Sequence, residues 1–229
     1  GGGITWDSTW ESEYREVQQK AAVLYRKQAR FQLITTGKIS QKTLLFEKQH
    51  LERLQKASRY FAFPFDQEVL KQEIEKECQS CNLLQDYRMR ISLSKYGKIE
   101  INRQVLTPLS PNFCQAKLCL QEADLQQAFT YFKTTHRPHL TMGENENIYY
   151  TADGKLLETS IGNLVLKMDG KLYTPPSTLG LLPGIYRQHL LESGQVEEKV
   201  LTIEDLKRAE VICGCNAVRG LYELSVKEH

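Results

Sequence analysis

Two polar side chains that could bind a ligand or exchange a proton stand in a segment whose neighbours predict buried β-strands. Glu158 and Asn163 bound the run E-T-S-I-G-N, which is polar where a strand should be apolar. A carboxylate and an amide held at the end of a sheet usually bind a ligand or a hydrogen-bond partner. The residues alone leave two interpretations open: a binding site, or the ordinary polar turns of a hairpin meander.

An Asp-Gly pair lies on each side of this run, and each pair predicts a turn. Asp153-Gly154 and Asp169-Gly170 each separate two short apolar segments. Two-residue Asp-Gly turns adopt positive φ at both positions and match the twist of the flanking strands. The sequence therefore predicts two β-hairpins in series, with Glu158 between them.

Two basic side chains occur earlier in the chain. Lys133 opens the run K-T-T-H-R, and Arg53 lies in H-L-E-R-L on a helix predicted over residues 44–61. A guanidinium suits phosphate recognition because its planar donor fork matches the phosphate oxygens. Taken alone, Lys133 is typical of a surface charge and Arg53 of a solvated side chain on an exposed helix face. The same helix is predicted to turn its apolar side chains towards the core: Leu44, Leu51, Leu54, Tyr60 and Phe61.

A further segment could bind an anion through backbone N–H groups. The run L-P-G-I-Y-R predicts a helix that starts at Pro183 and holds Gly184 and Ile185 in its first turn. Free N–H groups and the helix dipole attract a phosphate at such a start. A turn of small residues that contains Asn216 and Ala217 follows a predicted strand.

The N-terminal half predicts helices packed on an antiparallel sheet. Residues 31–37 predict a strand and a turn, and residues 87–93 alternate polar and apolar side chains as a half-buried strand does. Asp66 is predicted to cap a helix over residues 67–81, so this N-terminal half is expected to be α+β. In the C-terminal half, Thr202 and Asp205 are predicted to form a capping box on a helix over residues 203–208.

Six cysteines are present, and Cys78 and Cys81 form the only C-x-x-C pair. A structural zinc site needs a second such pair or a histidine pair, and none occurs at suitable spacing. On a helix, these cysteines extend an apolar stripe that includes Leu70 and Ile74. The sequence favours core thiols over a metal or redox site, and it predicts that the remaining cysteines are reduced and buried as well: Cys114, Cys119, Cys213 and Cys215.

The composition restricts the classes of function. Hydrophobic residues make up 41% and charged residues 25% of 229 residues, which is typical of a globular protein. A net charge of +2 gives no sign of a nucleic-acid or membrane partner. No apolar run reaches membrane-spanning length and no signal peptide opens the chain, so a cytoplasmic protein is expected.

Together, these motifs resemble the fold-type IV pyridoxal-phosphate enzymes, the class IV aminotransferases, over roughly residues 31–226. The family includes branched-chain and D-amino-acid aminotransferases and aminodeoxychorismate lyase, and several separate motifs occur here in the family's order. The resemblance implies an α+β, two-lobed D-amino-acid aminotransferase-like fold. Its N-terminal α/β sandwich lobe would span residues 31–107, and its C-terminal β-barrel-like lobe with helices would span residues 108–229.

The resemblance also implies roles for single residues around pyridoxal 5′-phosphate. Lys133 would be the Schiff-base lysine, and Glu158 would lie against the pyridine nitrogen. Thr36 is chosen as the residue that protonates the leaving group from the position of its loop, and not from the resemblance. The interval from Lys133 to Glu158 is shorter than in relatives by roughly two helical turns, so either a helix is trimmed to a loop or another lysine serves. Thr35 stands where the family usually has glutamate. The phosphate would be held by Arg53, Gly184, Ile185, Asn216 and Ala217, and no metal is implied.

Residues 1–30 resemble the end of the chorismate-binding domain of component I of aminodeoxychorismate and anthranilate synthases. The shared pattern is G-G-G-I, D-S and E-Y-R-E followed by a lysine. This implies a fused component I domain upstream, with a glutamine amidotransferase subunit as a further partner. The alternative is a helix over residues 11–30 that packs on the lobe, and both can hold. The family further implies a homodimer.

The two resemblances together favour one activity. The expected function is that of a 4-amino-4-deoxychorismate lyase, which releases pyruvate and forms 4-aminobenzoate in folate biosynthesis. The alternatives are an amino-acid aminotransferase of the same fold and a catalytically silent regulatory lobe. Because the elimination forms an aromatic ring, its free energy change is strongly favourable.

Overall fold

The computed structural model describes Thr9, residues 30–121 and residues 127–226. Residues 31–229 belong to one compact unit. The helix predicted over residues 11–30 and the component I pattern lie outside the described residues. Among the described helices, none combines the length and the apolar character that crossing a membrane requires.

The N-terminal lobe is a four-stranded antiparallel sheet covered on one face by two helices. The strand order is β2-β1-β3-β4. Both helices pack on the apolar face of the sheet, and Leu54, Leu70, Ile74, Met89 and Ile91 are among the buried side chains of this core. The elements are β1 (Leu33–Ser40), β2 (Thr43–Leu44), α1 (Glu47–Phe61), α2 (Gln67–Gln79), β3 (Tyr87–Leu93) and β4 (Ile99–Val105).

The C-terminal lobe is built on an eight-stranded sheet of mixed direction. Its strands are β5 (Gln115–Leu120), β6 (Asn147–Tyr150), β7 (Leu156–Thr159), β8 (Asn163–Met168), β9 (Lys171–Thr174), β10 (Glu197–Glu198), β11 (Val211–Asn216) and β12 (Gly220–Val226). Its helices are α3 (Gln127–Tyr131), α4 (Ile185–Glu192) and α5 (Ile203–Arg208), with a 3₁₀ turn at Ser177–Leu179.

Six of these strands close into a barrel. The sheet order is β10-β9-β8-β11-β12-β5-β6-β7, and β7 pairs back on β8. The closing pair is Glu158 opposite Asn163. The two polar residues that the sequence singles out therefore complete the barrel at one of its ends.

The two Asp-Gly pairs behave differently. Asp169 and Gly170 have φ of 50° and 75° and form the predicted two-residue turn. At the first pair only Gly154 has positive φ, so the prediction of a two-residue turn there is wrong. The reason is Thr151, whose backbone N–H donates to the Lys155 carbonyl at 2.9 Å and whose hydroxyl accepts from the Lys155 N–H. These bonds close a wider loop.

Three predictions for the N-terminal lobe are also wrong. Gly37 lies inside β1 rather than in a turn. A Cβ there would lie 2.5 Å from Nε2 of His50, so glycine admits α1 close to the strand. The helix begins at Glu47 because Leu44 pairs in β2, and Tyr60, predicted in the core, is 61% exposed.

The predicted caps and most of the predicted core are confirmed. Asp66 accepts the N–H groups of Glu68 and Val69, and Thr202 with Asp205 forms a capping box on α5. Leu70, Ile74 and Cys78 are buried on one side of α2, Cys81 is buried just beyond the end of this helix, and Cys213 and Cys215 are buried as well. All six cysteines are free thiols, but Cys114 and Cys119 are only half-buried.

Replacement of Ile74 by alanine tests the packing of α2 on the sheet. Ile74 is fully buried, so we expect a loss of about 2–5 kcal/mol in the free energy of unfolding from the lost contacts and the cavity. Val69 on the same helix is 47% exposed, and Val69→Ala should change that free energy by less than about 0.5 kcal/mol. Urea unfolding followed by circular dichroism measures both variants. Equal losses in the two variants would contradict this packing.

Candidate active site

A cavity of about 390 Å³ is lined by side chains of both lobes. Strands β1 and β3 and helix α1 contribute to its wall from the N-terminal lobe, and β7, the start of α4 and the turn after β11 contribute from the C-terminal lobe. All eight residues to which the sequence assigned roles line this one cavity: Thr36, Arg53, Lys133, Glu158, Gly184, Ile185, Asn216 and Ala217.

Lys133 is positioned by its backbone. Its carbonyl accepts the N–H of Ile34 at 2.9 Å, and two residues later the N–H of Thr135 donates to the carbonyl of Gln32 at 2.9 Å. The hydroxyl of Thr135 accepts the N–H of Gln32 in return. Three hydrogen bonds thus pair the segment that carries the amine with the beginning of β1, in the other lobe.

The surroundings of Lys133 favour its neutral form. Enclosure by the protein, followed by the charges of Arg53 and Arg137, lowers the pKa of Lys133 from 10.5 to about 7, although Glu158 acts in the opposite direction. An amine with a pKa near 7 is largely unprotonated in weakly alkaline solution. It can then act as a nucleophile or as a base.

Glu158 is a buried acid with a charged partner. Its side chain is 3% exposed, and its carboxylate lies 3.3 Å from Nη2 of Arg137. The N–H of Leu182 donates to its Oε1 at 3.4 Å. Burial raises the pKa of Glu158, and the charge of Arg137 and the Leu182 N–H oppose this rise. Arg137 was missed as a site residue, although it ends the K-T-T-H-R run that Lys133 opens.

The interval between Lys133 and Glu158 contains no helix in the structure. Residues 132–146 are irregular and include one isolated bridge at Thr134. The loop is fixed instead by side chains: the N–H of Thr141 donates to the hydroxyl of Tyr149 at 2.6 Å, and the amide of Asn147 donates to the Thr141 carbonyl at 3.0 Å. Residues 132–146 therefore form a loop between α3 and β6, and Lys133 lines the cavity near the start of this loop.

The start of α4 forms a cradle of backbone groups. Gly184 is the N-cap residue, and no side chain caps the helix. A Cβ on Gly184 would overlap Oδ1 of Asn163, whose amide nitrogen donates to the Leu182 carbonyl at 2.8 Å. Arg53 donates through Nη2 to the Pro183 carbonyl at 2.6 Å. The free N–H groups, the helix dipole and the guanidinium together suit a phosphate.

Asn216 shapes the turn after β11. Its Oδ1 accepts the N–H groups of Val218 and Arg219 at 2.9 Å each, and its amide nitrogen donates to the Ile161 carbonyl at 3.3 Å. The Asn216 side chain is thus used within the turn. Together with Ala217 it presents a small, closely held wall to the cavity.

The two threonines of β1 face opposite sides of the sheet. Thr36 lines the cavity and pairs with Arg90 of β3. Thr35 is buried against α1, where its hydroxyl lies 2.6 Å from Nδ1 of His50. Because Thr35 faces the core, its side chain contacts α1 and does not line the cavity.

A second buried acid lies behind Glu158 and was missed in the sequence, where it was one residue of a polar loop. The Oε1 of Glu146 accepts the N–H of Ser160 at 2.8 Å and the N–H of Asn147 at 3.2 Å. Its Oε2 accepts the hydroxyl of Tyr222 at 3.1 Å. Glu146 therefore fixes the polar segment that follows β7, from behind the cavity.

The cavity carries an excess of positive charge. Its only acidic lining residue in the described part of the chain is Glu158. Six basic side chains face it: Arg53, Arg88, Arg90, Lys133, Arg137 and Arg219. Since like charges repel more strongly away from bulk water, this wall is complementary to a ligand with several negative charges.

The sequence matches a known family over most of its length. The family model described as amino-transferase class IV matches residues 32–225. A crystal structure from Mesorhizobium loti, provisionally named an amino-acid aminotransferase, is similar with a TM-score of 0.74 and 26% sequence identity; the match covers 86% of this chain and 100% of that one.

Two further solved structures are similar in fold. One from Haemophilus somnus, provisionally named a 4-amino-4-deoxychorismate lyase, has a TM-score of 0.67 at 23% identity, covering 85% of this chain and 100% of that one. A hypothetical aminotransferase from Mycobacterium tuberculosis, in its PLP-bound form, has a TM-score of 0.71 at 16% identity, covering 86% and 81%. The predicted fold class is confirmed.

The low pKa of Lys133 predicts a pH-dependent stability. Between pH 7 and 10.5 the unfolded chain binds a proton at this amine that the folded chain does not bind. The free energy of unfolding of the ligand-free protein should therefore gain from this amine as the pH rises through that window. Lys133→Met should lose this gain.

Urea midpoints at pH 7.5 and 9.5, measured for both proteins, give the comparison. All other groups are common to both proteins, so the difference between the two changes of midpoint reports on Lys133. The same change of midpoint in both would show that Lys133 has an ordinary pKa.

Proposed function

This chain belongs to the class IV amino-transferase family, and we propose that it acts as a 4-amino-4-deoxychorismate lyase. In this reaction the substrate loses its enolpyruvyl group as pyruvate, and the ring becomes 4-aminobenzoate. The family uses pyridoxal 5′-phosphate, which is the cofactor of this chain. The observation that carries the proposal is a lysine of lowered pKa and one buried acid in a cavity with six basic side chains.

The donors around the cavity suit the parts of the cofactor. The phosphate would be held by Arg53 and by the N–H groups at Gly184 and Ile185, with Ala217 as a small neighbour. Lys133 supplies the amine that binds the aldehyde, and Glu158 is the acid that suits a protonated ring nitrogen. When bound, the cofactor withdraws electrons from the substrate carbon that carries the amino group.

Two residues of the chain, Lys133 and Thr36, then carry out the proton transfers. Lys133, whose lowered pKa of about 7 leaves the amine largely unprotonated in weakly alkaline solution, accepts the proton from the carbon that carries the amino group. The carbon–oxygen bond to the enolpyruvyl group breaks, and its electron pair leaves with the oxygen. Thr36, on the wall beside Arg90, donates a proton to that oxygen. The atoms of the substrate divide between pyruvate and 4-aminobenzoate, so no oxidant or second substrate takes part.

Arg137 orients Glu158 for this task. A buried carboxylate without a partner becomes protonated, since burial raises its pKa. The guanidinium 3.3 Å away and the Leu182 N–H favour the anion. An anionic Glu158 can accept a hydrogen bond from a protonated ring nitrogen, whereas a neutral carboxyl group cannot hold that charge.

The second candidate is an amino-acid aminotransferase. The same amine and acid would serve it, and the Mesorhizobium loti structure bears that provisional name. An aminotransferase needs a 2-oxo acid as a second substrate, and the lyase does not. The idea of a silent lobe has less support, because the amine, acid and guanidinium of the site all line one cavity.

The direct test is to incubate the cofactor-loaded protein with 4-amino-4-deoxychorismate and no 2-oxo acid. We expect pyruvate and 4-aminobenzoate in equal amounts, and Lys133→Ala should lower the rate by about 10²–10⁴-fold, because the variant lacks the general base. Lactate dehydrogenase coupling measures the pyruvate. No pyruvate, together with glutamate formation from 2-oxoglutarate and an amino acid, would overturn the lyase in favour of the aminotransferase.

A further inference from the structure

We propose that Glu146 and Tyr222 are positioning residues for Glu158: they fix the backbone next to this acid, so that its carboxylate stays where the cofactor's ring nitrogen would lie. The inference rests on the proposed function in one respect, namely that Glu158 accepts a hydrogen bond from that nitrogen. Glu146 and Tyr222 do not line the cavity, so they would act through the segment that carries Glu158.

The carboxylate of Glu158 is held only loosely by its own contacts. Nη2 of Arg137 lies 3.3 and 3.4 Å from its two oxygens, and the N–H of Leu182 donates to it at 3.4 Å. These bonds are long compared with a typical N–H···O distance of about 2.9 Å. They favour the anion without fixing its position closely, so the place of the carboxylate depends on how the backbone of Glu158 is held.

That backbone leaves the regular sheet directly after the acid. Strand β7 ends at Thr159, and it pairs with β8 through a single residue pair, at Glu158. Ser160 lies beyond this register. Its N–H donates to Oε1 of Glu146 at 2.8 Å and, at a longer 3.2 Å, to the carbonyl of Asn147. A carboxylate side chain thus accepts the shorter of the two bonds that hold the backbone next to the acid.

Glu146 is itself held from several directions. Its side chain is fully buried. Its N–H donates to the carbonyl of Phe113 at 2.8 Å, and its carbonyl accepts the N–H of Lys117 at 2.9 Å. Its Oε2 accepts the hydroxyl of Tyr222 at 3.1 Å. Glu146 therefore ties the position of Ser160 to strands β5 and β12.

Tyr222 fits into space that two glycines leave open. A Cβ on Gly162 would lie 3.0 Å from the Tyr222 hydroxyl oxygen, and a Cβ on Gly214 would lie 2.5 Å from the same atom. The phenol is consequently packed against the turn that follows Glu158, with its hydroxyl directed at Glu146. Both ends of this contact are fixed by close packing, so the contact can hold the turn in one place.

Loss of Glu146 should loosen the turn and leave the barrel closed. The N–H of Ser160 would keep the carbonyl of Asn147, and the N–H of Asn147 would keep the Ser160 hydroxyl at 3.3 Å. No buried N–H group of the turn would then lack an acceptor, so the cost in folding is limited. The turn would be fixed less closely, and Glu158 would move relative to the ring nitrogen.

Two probes that differ only at the ring nitrogen test this by binding alone. Pyridoxal 5′-phosphate has the nitrogen, and its 1-deaza analogue has carbon in its place, with the same aldehyde and phosphate. By titration calorimetry of the ligand-free protein, we expect pyridoxal 5′-phosphate to bind at least about tenfold more tightly, as one charge-assisted hydrogen bond provides. Glu158→Gln should lose most of this preference.

The positioning residues should change the same ratio of affinities. Glu146→Leu should lower the preference at least about threefold, and Glu146→Gln should recover part of it, because its amide oxygen can still accept the Ser160 N–H. Tyr222→Phe, which removes one hydroxyl, should also lower it, and it decides alone if Glu146→Leu does not fold. A merely structural role would weaken both probes equally, so an unchanged ratio in Tyr222→Phe or in folded Glu146→Leu would overturn the inference.

Glu210→Gln is the matched control. Glu210 is also a carboxylate that accepts a backbone N–H, that of Gly170 at 3.0 Å, but it does not line the cavity and has no contact with the turn after Glu158 among the described residues. Its replacement should leave the ratio unchanged. A ratio lowered as much as in Glu146→Leu would show a general loss of structure and would overturn the positioning role.

The two proposals can fail separately, because the ratio of affinities requires no turnover. If the ratio depends on Glu146 but no pyruvate forms, the positioning role stands and the lyase assignment falls. If pyruvate forms and Glu146→Leu keeps the ratio, the lyase assignment stands and the positioning role falls. A parent protein that binds both probes equally would overturn the contact of Glu158 with the ring nitrogen, and the positioning role with it.

Discussion

The pairing of Glu158 with Asn163 closes the barrel, and it buries a carboxylate at the barrel's end. A buried charge is unfavourable unless a partner compensates it. Arg137 supplies the opposite charge at 3.3 Å, and Glu146 fixes the segment behind the acid through the N–H of Ser160. The closure of the barrel therefore determines where the acid lies and which cation must accompany it.

That cation connects the acid to the amine. Arg137 follows Lys133 closely in the sequence, in an irregular segment. This segment is hydrogen-bonded to the start of β1. Lys133 is consequently held between an acid of the C-terminal lobe and a strand of the N-terminal lobe. Its lowered pKa follows from this enclosure among arginines, so the chemistry of the amine is a property of how the lobes meet.

Local patterns in the sequence predicted those features that local physics decides. The Asp66 cap, the Thr202 capping box and the Asp169-Gly170 turn depend on neighbouring residues, and the structure contains each of them. The first Asp-Gly pair failed because the side chain of Thr151 made a wider loop more favourable. Sequence spacing alone carried no information about this competition.

Features that depend on residues far apart in the sequence were harder to predict. In the sequence, Glu146 is one residue of a polar loop. Its role depends on a hydrogen bond from Tyr222 of β12, which lies far from it in the sequence. Arg88 and Arg90 alternated visibly, but only the fold brings Arg219 to them. The resemblance to the class IV family identified Lys133 and Glu158 as site residues. The excess of positive charge in the cavity could be seen only once the structure showed which residues line it. The homodimer, the fused domain and the amidotransferase partner stay predictions.

The central claim is that Lys133 carries the reactive amine of the site. Borohydride reduction of the protein loaded with pyridoxal phosphate, followed by proteolysis and mass spectrometry, locates the amine that binds the aldehyde. The account predicts one modified peptide, containing Lys133, and no covalent label at this peptide in Lys133→Ala. A label on a different lysine, or no label in a protein that retains the cofactor, would contradict it.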